Sequence, residues 1–174
     1  RTYSVTDACG NQILVTQLWT VGDLIIPTAS NPLPVNVECI GNVPAVDPLV
    51  VTDESDNGAT PIVTWEDDTS DGLSCPETIL RRYRVTDDCG NFIFVTQTIT
   101  VMDLTAPVMN APLAALAVQC IGDVPAMTDL GYTDNCDPVG VVTGTDVSDG
   151  LTCPETITRS WFYTDICGNV SATV

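Results

Sequence analysis

Eight cysteines, 23 carboxylates and no histidine set what chemistry this 174-residue chain can do. Without imidazole there is no His-based general acid or base, no Ser-His-Asp or Cys-His pair and no imidazole metal ligand. No Cys-x-x-Cys pair occurs, which argues against thioredoxin-type exchange and zinc ribbons. The cysteines recur in phase instead: Cys39 matches Cys120, Cys75 matches Cys153, and Cys9 matches Cys89 and Cys167, while Cys136 stands opposite Ser55. Repeating cysteines without histidine are read as disulfides, which implies an oxidising, extracytoplasmic compartment. A buried free thiol is the plainer alternative at each position.

The carboxylates offer two kinds of site. Asp67/Asp68 and Asp87/Asp88 are paired acids, but neighbours on a strand point to opposite faces and do not converge as an acid and a base. No G-x-S-x-G, P-loop or dinucleotide fingerprint is present. No catalytic residue is expected, and the chain reads as a non-enzyme. Calcium is the better chemical candidate, because hard oxygen ligands suit it. Asp103, in Val-Met-Asp-Leu-Thr-Ala-Pro, and its counterpart Asp23 are the first candidate ligands, with Asp53 and Asp134 expected toward the same end of the fold. Solvated acidic surface is the alternative, since no D-x-D-x-D-G loop exists. The five basic residues, Arg1, Arg81, Arg82, Arg84 and Arg159, sit on or next to one type of strand and are read as structural ion-pair partners. Asn169-Val170-Ser171 matches a glycosylation sequon by pattern alone.

With 5 Lys+Arg against 23 Asp+Glu the net charge is −18, so neither nucleic acid nor anionic membrane is an expected partner. No run of 18 apolar residues is present, so no direct membrane insertion by a helix is expected. Hydrophobic residues are 44% and charged ones only 16%, which separates the chain from disordered acidic tails.

What must position these residues is a repeat. Residues 1–27 and 81–107 align without a gap, with about 17 of 27 positions identical. VECIGNVPA (37–45) matches VQCIGDVPA (118–126), and SDGLSCPETI (70–79) matches SDGLTCPETI (148–157). The period of about 80 residues suits one small β-sandwich. The phase divides the chain into 1–23, the C-terminal hairpin of a preceding repeat; 24–103, a complete repeat; and 104–174, a second repeat lacking most of its last strand. A stretch of a longer array is the expectation.

Strand periodicity runs throughout. Ile93, Val95, Gln97, Ile99 and Val101 alternate with threonines, as do Ile13, Val15, Gln17, Trp19 and Val21. Ile79, Tyr83 and Val85 form a facing row, matched by Ile157, Trp161 and Tyr163. Asp-x-Cys-Gly-Asn between such rows reads as a hairpin turn. Val35, Val37 and Cys39 also alternate and match Leu116, Val118 and Cys120. This parity puts Trp19 and Trp161 inside and leaves Trp65 as the candidate surface platform. The fold class is all-β: tandem immunoglobulin-like sandwiches of about seven strands, stapled by disulfides because so small a core needs them.

The series V-x-C-x-x-D/N-V-P-A, T-D-N-C, G-x-x-C-P-E-T-I-T-R, T-D-x-C-G-N and V-T-Q-x-I-T-V-x-D-x-x-A-P resembles the HYR-like immunoglobulin-type repeats found in large secreted Bacteroidota surface proteins and adhesins. The resemblance implies a stalk or adhesive module without catalysis. It also implies the pairs Cys120–Cys153, Cys136–Cys167 and Cys39–Cys75, with Cys9 and Cys89 unpaired or bonded between units. Cys120–Cys167 with Cys136–Cys153 is the rival arrangement. Ser55 and Glu54 depart from T-D-N-C and put one bond of the middle repeat in doubt. The function expected is a structural spacer of an extracellular adhesin or filament at the cell surface, whose partners are neighbouring repeats. The alternative is a module that binds glycan or protein, with Ca²⁺ as its one possible cofactor.

Overall fold

The computed structural model describes residues 1–174 and is all-β, its only helical pieces being three single 3-10 turns. Strands β1 (Thr2–Thr6) and β2 (Gln12–Thr16) form an antiparallel hairpin. Its turn builds itself from sequence: Asp7 Oδ1 accepts the N–H groups of Cys9 and Asn11, both at 2.9 Å, and Oδ2 accepts the Asn11 amide at 2.7 Å. Gly10 closes the turn at φ +87°, a left-handed value that glycine adopts without penalty. The same turn recurs at Asp87–Asn91 and Asp165–Asn169.

Repeat 24–103 carries a four-stranded sheet in the order β3-β6-β5-β4, from β3 (Val35–Val37), β4 (Ile62–Ser70), β5 (Glu77–Thr86) and β6 (Phe92–Val101). β3 runs parallel to β6 and the other pairs are antiparallel. The alternation read from sequence holds here. Ile79, Tyr83 and Val85 from β5 and Val95, Ile99 and Val101 from β6 are buried on one face. Fully burying side chains such as Val85 and Ile99 contributes about 1.5–3 kcal/mol each. Gln97 is buried in the same row because its amide donates to the Leu33 carbonyl at 3.0 Å. The covering layer is mostly irregular: Val51 packs on Tyr83, Val85 and Val95, and a single bridge joins Thr28 to Ser55. Four strands stand where about seven were expected. Pro32, Pro34, Pro44 and Pro48 remove the donors that a second ladder would need.

Repeat 104–174 splits into two small sheets. β7 (Val108–Met109), β8 (Leu130–Thr133) and β9 (Gly140–Val142) form one, and β10 (Thr145–Ser148) with β11 (Ile157–Ser160) forms the other. Trp161 is buried, its indole donating to the Thr128 carbonyl at 3.1 Å, and Tyr132 stacks on Tyr163. Leu116 and Val118 are exposed and form no strand, unlike Val35 and Val37. Their ladder partners would be the equivalents of Ile99–Val101, and Val174 aligns with Thr96, short of those positions. Trp19, expected inside, is 64% exposed, and Ile13 and Val15 are exposed with it, because no second sheet covers this hairpin.

A bulge between Trp65 and Asp67 separates the two adjacent carboxylates on β4. Asp67 pairs with Arg82 at 2.6 Å on the outer face. Asp68 takes a forked grip from buried Arg81, at 3.0 Å to Nε and 2.9 Å to Nη2, while Arg81 Nη1 donates to the Pro44 carbonyl at 2.8 Å. Arg159 repeats this with Asp146 and with the carbonyls of Pro125 and Ala126. The arginines are thus the structural ion-pair partners that the sequence suggested at these positions. Hydrogen bonding from Arg81 holds the Asp68 carboxyl below its ordinary 3.8, against the opposing effect of burial. A depressed folded-state pKa gives stability that is present above the unfolded value and is lost as pH falls through the folded one. Thermal unfolding between pH 5 and pH 2 should therefore show a falling midpoint, and Asp68→Asn should flatten part of that fall while lowering the midpoint at neutral pH. An acid limb unchanged in D68N would remove Asp68 as its source.

Candidate functional site

The constellation that stands out is the joint where β6 leaves one repeat and residues 102–107 enter the next. At the exit Val101 is paired on one side with Val37 of β3 and on the other with Glu77 of β5. Cys39 lies two residues beyond Val37 and Cys75 two residues before Glu77, so both cysteines flank the exit. On the receiving side stand the loop Asp134–Asp137 and the turn Asp165–Asn169. Disulfides Cys39–Cys136 and Cys75–Cys167 cross the joint, with Cα–Cα distances of 5.1 and 5.2 Å.

This corrects the pairing implied by the resemblance. Cys39–Cys75, Cys120–Cys153 and Cys136–Cys167 do not form, and neither does the rival set. For Cys39–Cys75 the reason is topological. β6 stands between β3 and β5, which places those strands two ladder spacings, about 10 Å, apart, and a disulfide needs Cα atoms within roughly 7 Å. Cys136 and Cys167 do share one end of their repeat, but each faces a cysteine across the joint. Cys9, Cys89, Cys120 and Cys153 are exposed free thiols. Because each bridge spans more than 90 residues of sequence, closing one such loop is worth about 4–5 kcal/mol in unfolded-state entropy. Polar contacts reinforce the same joint: Glu38 Oε2 accepts from the Asn135 amide at 2.8 Å and from the Thr105 hydroxyl at 3.1 Å.

Beside the disulfides, carboxylate oxygens of Asp103, Asp134 and Asp165 lie within 4.8 Å of one another. Asp103 and Asp165 are only 4% and 6% exposed. Asp103 Oδ1 accepts the Thr105 N–H at 2.8 Å, and Asp134 Oδ2 accepts the N–H groups of Cys136 and Asp137 at 3.0 and 2.9 Å. Asp165 accepts the backbone and side-chain N–H groups of Asn169, and the Asn169 amide also donates to the Asp103 carbonyl at 3.1 Å. Asp134 Oδ1 is buried with no hydrogen-bond partner. None of the three ion pairs in the chain reaches this cluster, so its charge is uncompensated by protein. Three hard oxygen donors around one point, one of them unsatisfied, suit a Ca²⁺ ion.

The preceding joint repeats the arrangement with a change of member. Asp23, Asp56 and Asp87 converge there, and Asp56 Oδ1 is likewise buried and unpartnered. Asp53, the counterpart of Asp134, accepts the Ser30 N–H at 2.9 Å and belongs to no cluster. Of the four candidate ligands, Asp23, Asp103 and Asp134 therefore lie in acidic clusters and Asp53 does not. Asp56, Asp87 and Asp165 complete them. The Asp-x-Cys-Gly-Asn turns were the available signal for Asp87 and Asp165. Burial opposes ionisation of Asp87, but hydrogen bonds from Asn91, Cys89 and Gly90 outweigh it and hold the carboxyl below its ordinary value.

One further surface escaped the sequence reading. On the outer face of the four-stranded sheet the Arg84 guanidinium lies 3.9 Å from the Phe92 ring centre and Arg82 lies 4.5 Å from that of Phe94, with the two rings edge to face. Trp65, the expected platform, is 47% exposed and donates its indole N–H to Asp68 at 3.0 Å.

No helix is long and apolar enough to cross a membrane. No curated protein and no solved structure compared with the chain shows significant similarity to it. A family match covers residues 27–101 and again 108–174, with the description "HYR-like domain with 4 cysteines". Two matched copies over most of the sequence place this chain in the family of HYR-like domains with four cysteines.

Proposed function

We propose that the chain is a non-catalytic spacer in a secreted, cell-surface adhesin or extracellular filament, and that its repeats transmit tension through covalently closed joints. The observation that carries this reading is the pair of disulfides crossing a single handover. A folding staple needs only to link residues within a repeat. Two bonds between repeats hold one unit to the next even when either unfolds. Disulfides also fit an extracellular location, since thiols stay reduced in the cytoplasm. The handover is short and Pro107 is buried in it, which fixes φ there and stiffens the connection. The net charge of −18 keeps neighbouring molecules soluble and apart.

Calcium is the proposed inorganic partner, bound by Asp103, Asp134 and Asp165 and by Asp23, Asp56 and Asp87. Held at the joint, it would relieve carboxylate repulsion and add a non-covalent clamp beside the disulfides. A second role, binding of glycan or protein, is favoured by the half-exposed Arg82–Phe94 and Arg84–Phe92 stacks, which set cations over exposed aromatic rings.

Two measurements test these readings. In single-molecule pulling from both termini, only the chain outside residues 39–136 can extend while the bonds are intact, roughly 270 Å at about 3.5 Å per residue. Reduction should raise this to roughly 600 Å. An oxidised length near 370 Å would match bonds closed within repeats and sink the covalent joint. In calorimetry, Ca²⁺ at about 100 times its Kd should stabilise by about 2.7 kcal/mol per site, a rise of roughly 5–10 °C for each, and Asp134→Asn should abolish the share of the Asp103–Asp134–Asp165 site. Identical curves with Ca²⁺ and with chelator would eliminate the ion.

A further inference from the structure

The cysteine-bearing loops at the exit end of repeat 104–174 are built like those of repeat 24–103, although Leu116 and Val118 lack the strand that Val35 and Val37 form. Cys120 has φ −128° and ψ 152° and leads into the 3-10 turn Ile121–Asp123; Cys39 has φ −113° and ψ 151° and leads into the 3-10 turn Ile40–Asn42. The loop before Cys153 repeats the one before Cys75 bond for bond. Ser148 donates to Glu155 at 2.7 Å and accepts the Gly150 N–H at 3.0 Å, and Asp149 accepts the Leu151 N–H at 3.0 Å. Ser70, Glu77, Gly72, Asp71 and Leu73 make the equivalent bonds at 2.5, 2.9 and 3.0 Å. The ion pair that anchors this end, Arg81–Asp68, recurs as Arg159–Asp146. The cysteines themselves differ in occupancy. Cys39 and Cys75 hold the loop face of a neighbouring repeat, whereas Cys120 and Cys153 are exposed thiols.

We propose that Cys120 and Cys153 form a covalent docking surface for the loop face of one further four-cysteine repeat. Cys120 bonds the cysteine of its T-D-N-C loop and Cys153 that of its D-x-C-G-N turn. This rests on the covalent-joint reading above and goes further, because it makes the occupant's loop residue the determinant of how firmly it is held. A loop face of the 104–174 type, with Cys136 and Cys167, receives two bonds. A loop face of the 24–103 type, with Ser55 and Cys89, receives one. Joints of two strengths follow from a single cysteine-to-serine difference. Each bond forms by thiol–disulfide exchange with a small disulfide of the glutathione class. One protein thiolate attacks it, releasing a glutathione thiolate, and the second protein thiolate displaces the other. Two protein thiols are thereby oxidised by two electrons and one small disulfide is reduced to two thiols.

The test uses the intact chain with residues 97–174 repeated after Val174, which keeps the phase because Val174 aligns with Thr96. Folded in a glutathione redox buffer, it should show four free thiols by titration, as the 174-residue chain does, although four cysteines have been added. Non-reducing peptide maps should join Cys120 and Cys153 of the first copy to Cys136 and Cys167 of the added one. Replacing Cys136 of the added copy by serine should leave five free thiols, with Cys120 among them and the Cys153 bond retained. Eight free thiols, or a Cys120–Cys153 link, with Cys39–Cys136 and Cys75–Cys167 intact, would overturn the docking proposal alone. Loss of those two native bonds would overturn the covalent joint itself. An extended chain that fails to fold where the 174-residue chain folds counts against the proposal, since a surface made to accept a repeat tolerates one.

Discussion

A disulfide is a short-range constraint, and in this fold the sheet order decides which cysteines can meet it. β6 separates β3 from β5, so the cysteines that follow β3 and precede β5 stand on either side of the strand that leaves the repeat. Their partners must come from whatever that strand leads into. The loop Asp134–Asp137 and the turn Asp165–Asn169 fill that position, and the rest of the joint is arranged around them. Glu38 binds Asn135 beside one bridge, and the Asn169 amide grips the Asp103 carbonyl beside the other. A repeat of about 80 residues with a small core thus draws stability from its neighbour as well as from itself.

Charge is organised by the same joint. The chain has no lysine, and the three arginines with carboxylate partners spend them on strand-to-strand pairs: Arg81–Asp68, Arg82–Asp67 and Arg159–Asp146. Most of the 23 carboxylates therefore have no cationic side chain, and solvent screens them at the surface. Asp103 and Asp165 are different because they are buried, and their negative charges converge with that of Asp134. Backbone and amide N–H groups satisfy most of their oxygens, but hydrogen bonding does not cancel net charge. The Asp134 oxygen left without a donor shows where compensation from outside the chain would act.

Periodicity made the strands legible. The rows Ile79, Tyr83, Val85 and Val95, Gln97, Ile99, Val101 are buried as alternation requires, and the Asp-x-Cys-Gly-Asn segments are turns because Asp, Gly and Asn each perform a local task. The covering layer was less legible. Residues 28–57 alternate in places, but beyond the three residues of β3 and the Thr28–Ser55 bridge, closely spaced prolines deny them a ladder, so most of them pack as irregular chain. The pairing of cysteines was not legible, because spacing along the chain says nothing about whether a staple closes within a repeat or across a boundary. Asp53 and Asp134 occupy matching sequence positions yet differ in use. Asp53 is taken up by the Ser30 N–H, and Asp56 supplies the third carboxylate in that cluster.

The two bridges interleave: Cys75 lies between Cys39 and Cys136, and Cys136 lies between Cys75 and Cys167. This matters for a molecule exposed to proteases. A cut between Cys39 and Cys75 leaves the fragments tied by Cys39–Cys136, and one between Cys136 and Cys167 leaves them tied by Cys75–Cys167. A cut between Cys75 and Cys136 leaves both ties. Any single backbone break from residue 39 to residue 167 therefore nicks the chain without severing it, so that exposed loops such as 71–74 can lie open to hydrolysis while the molecule stays in one piece.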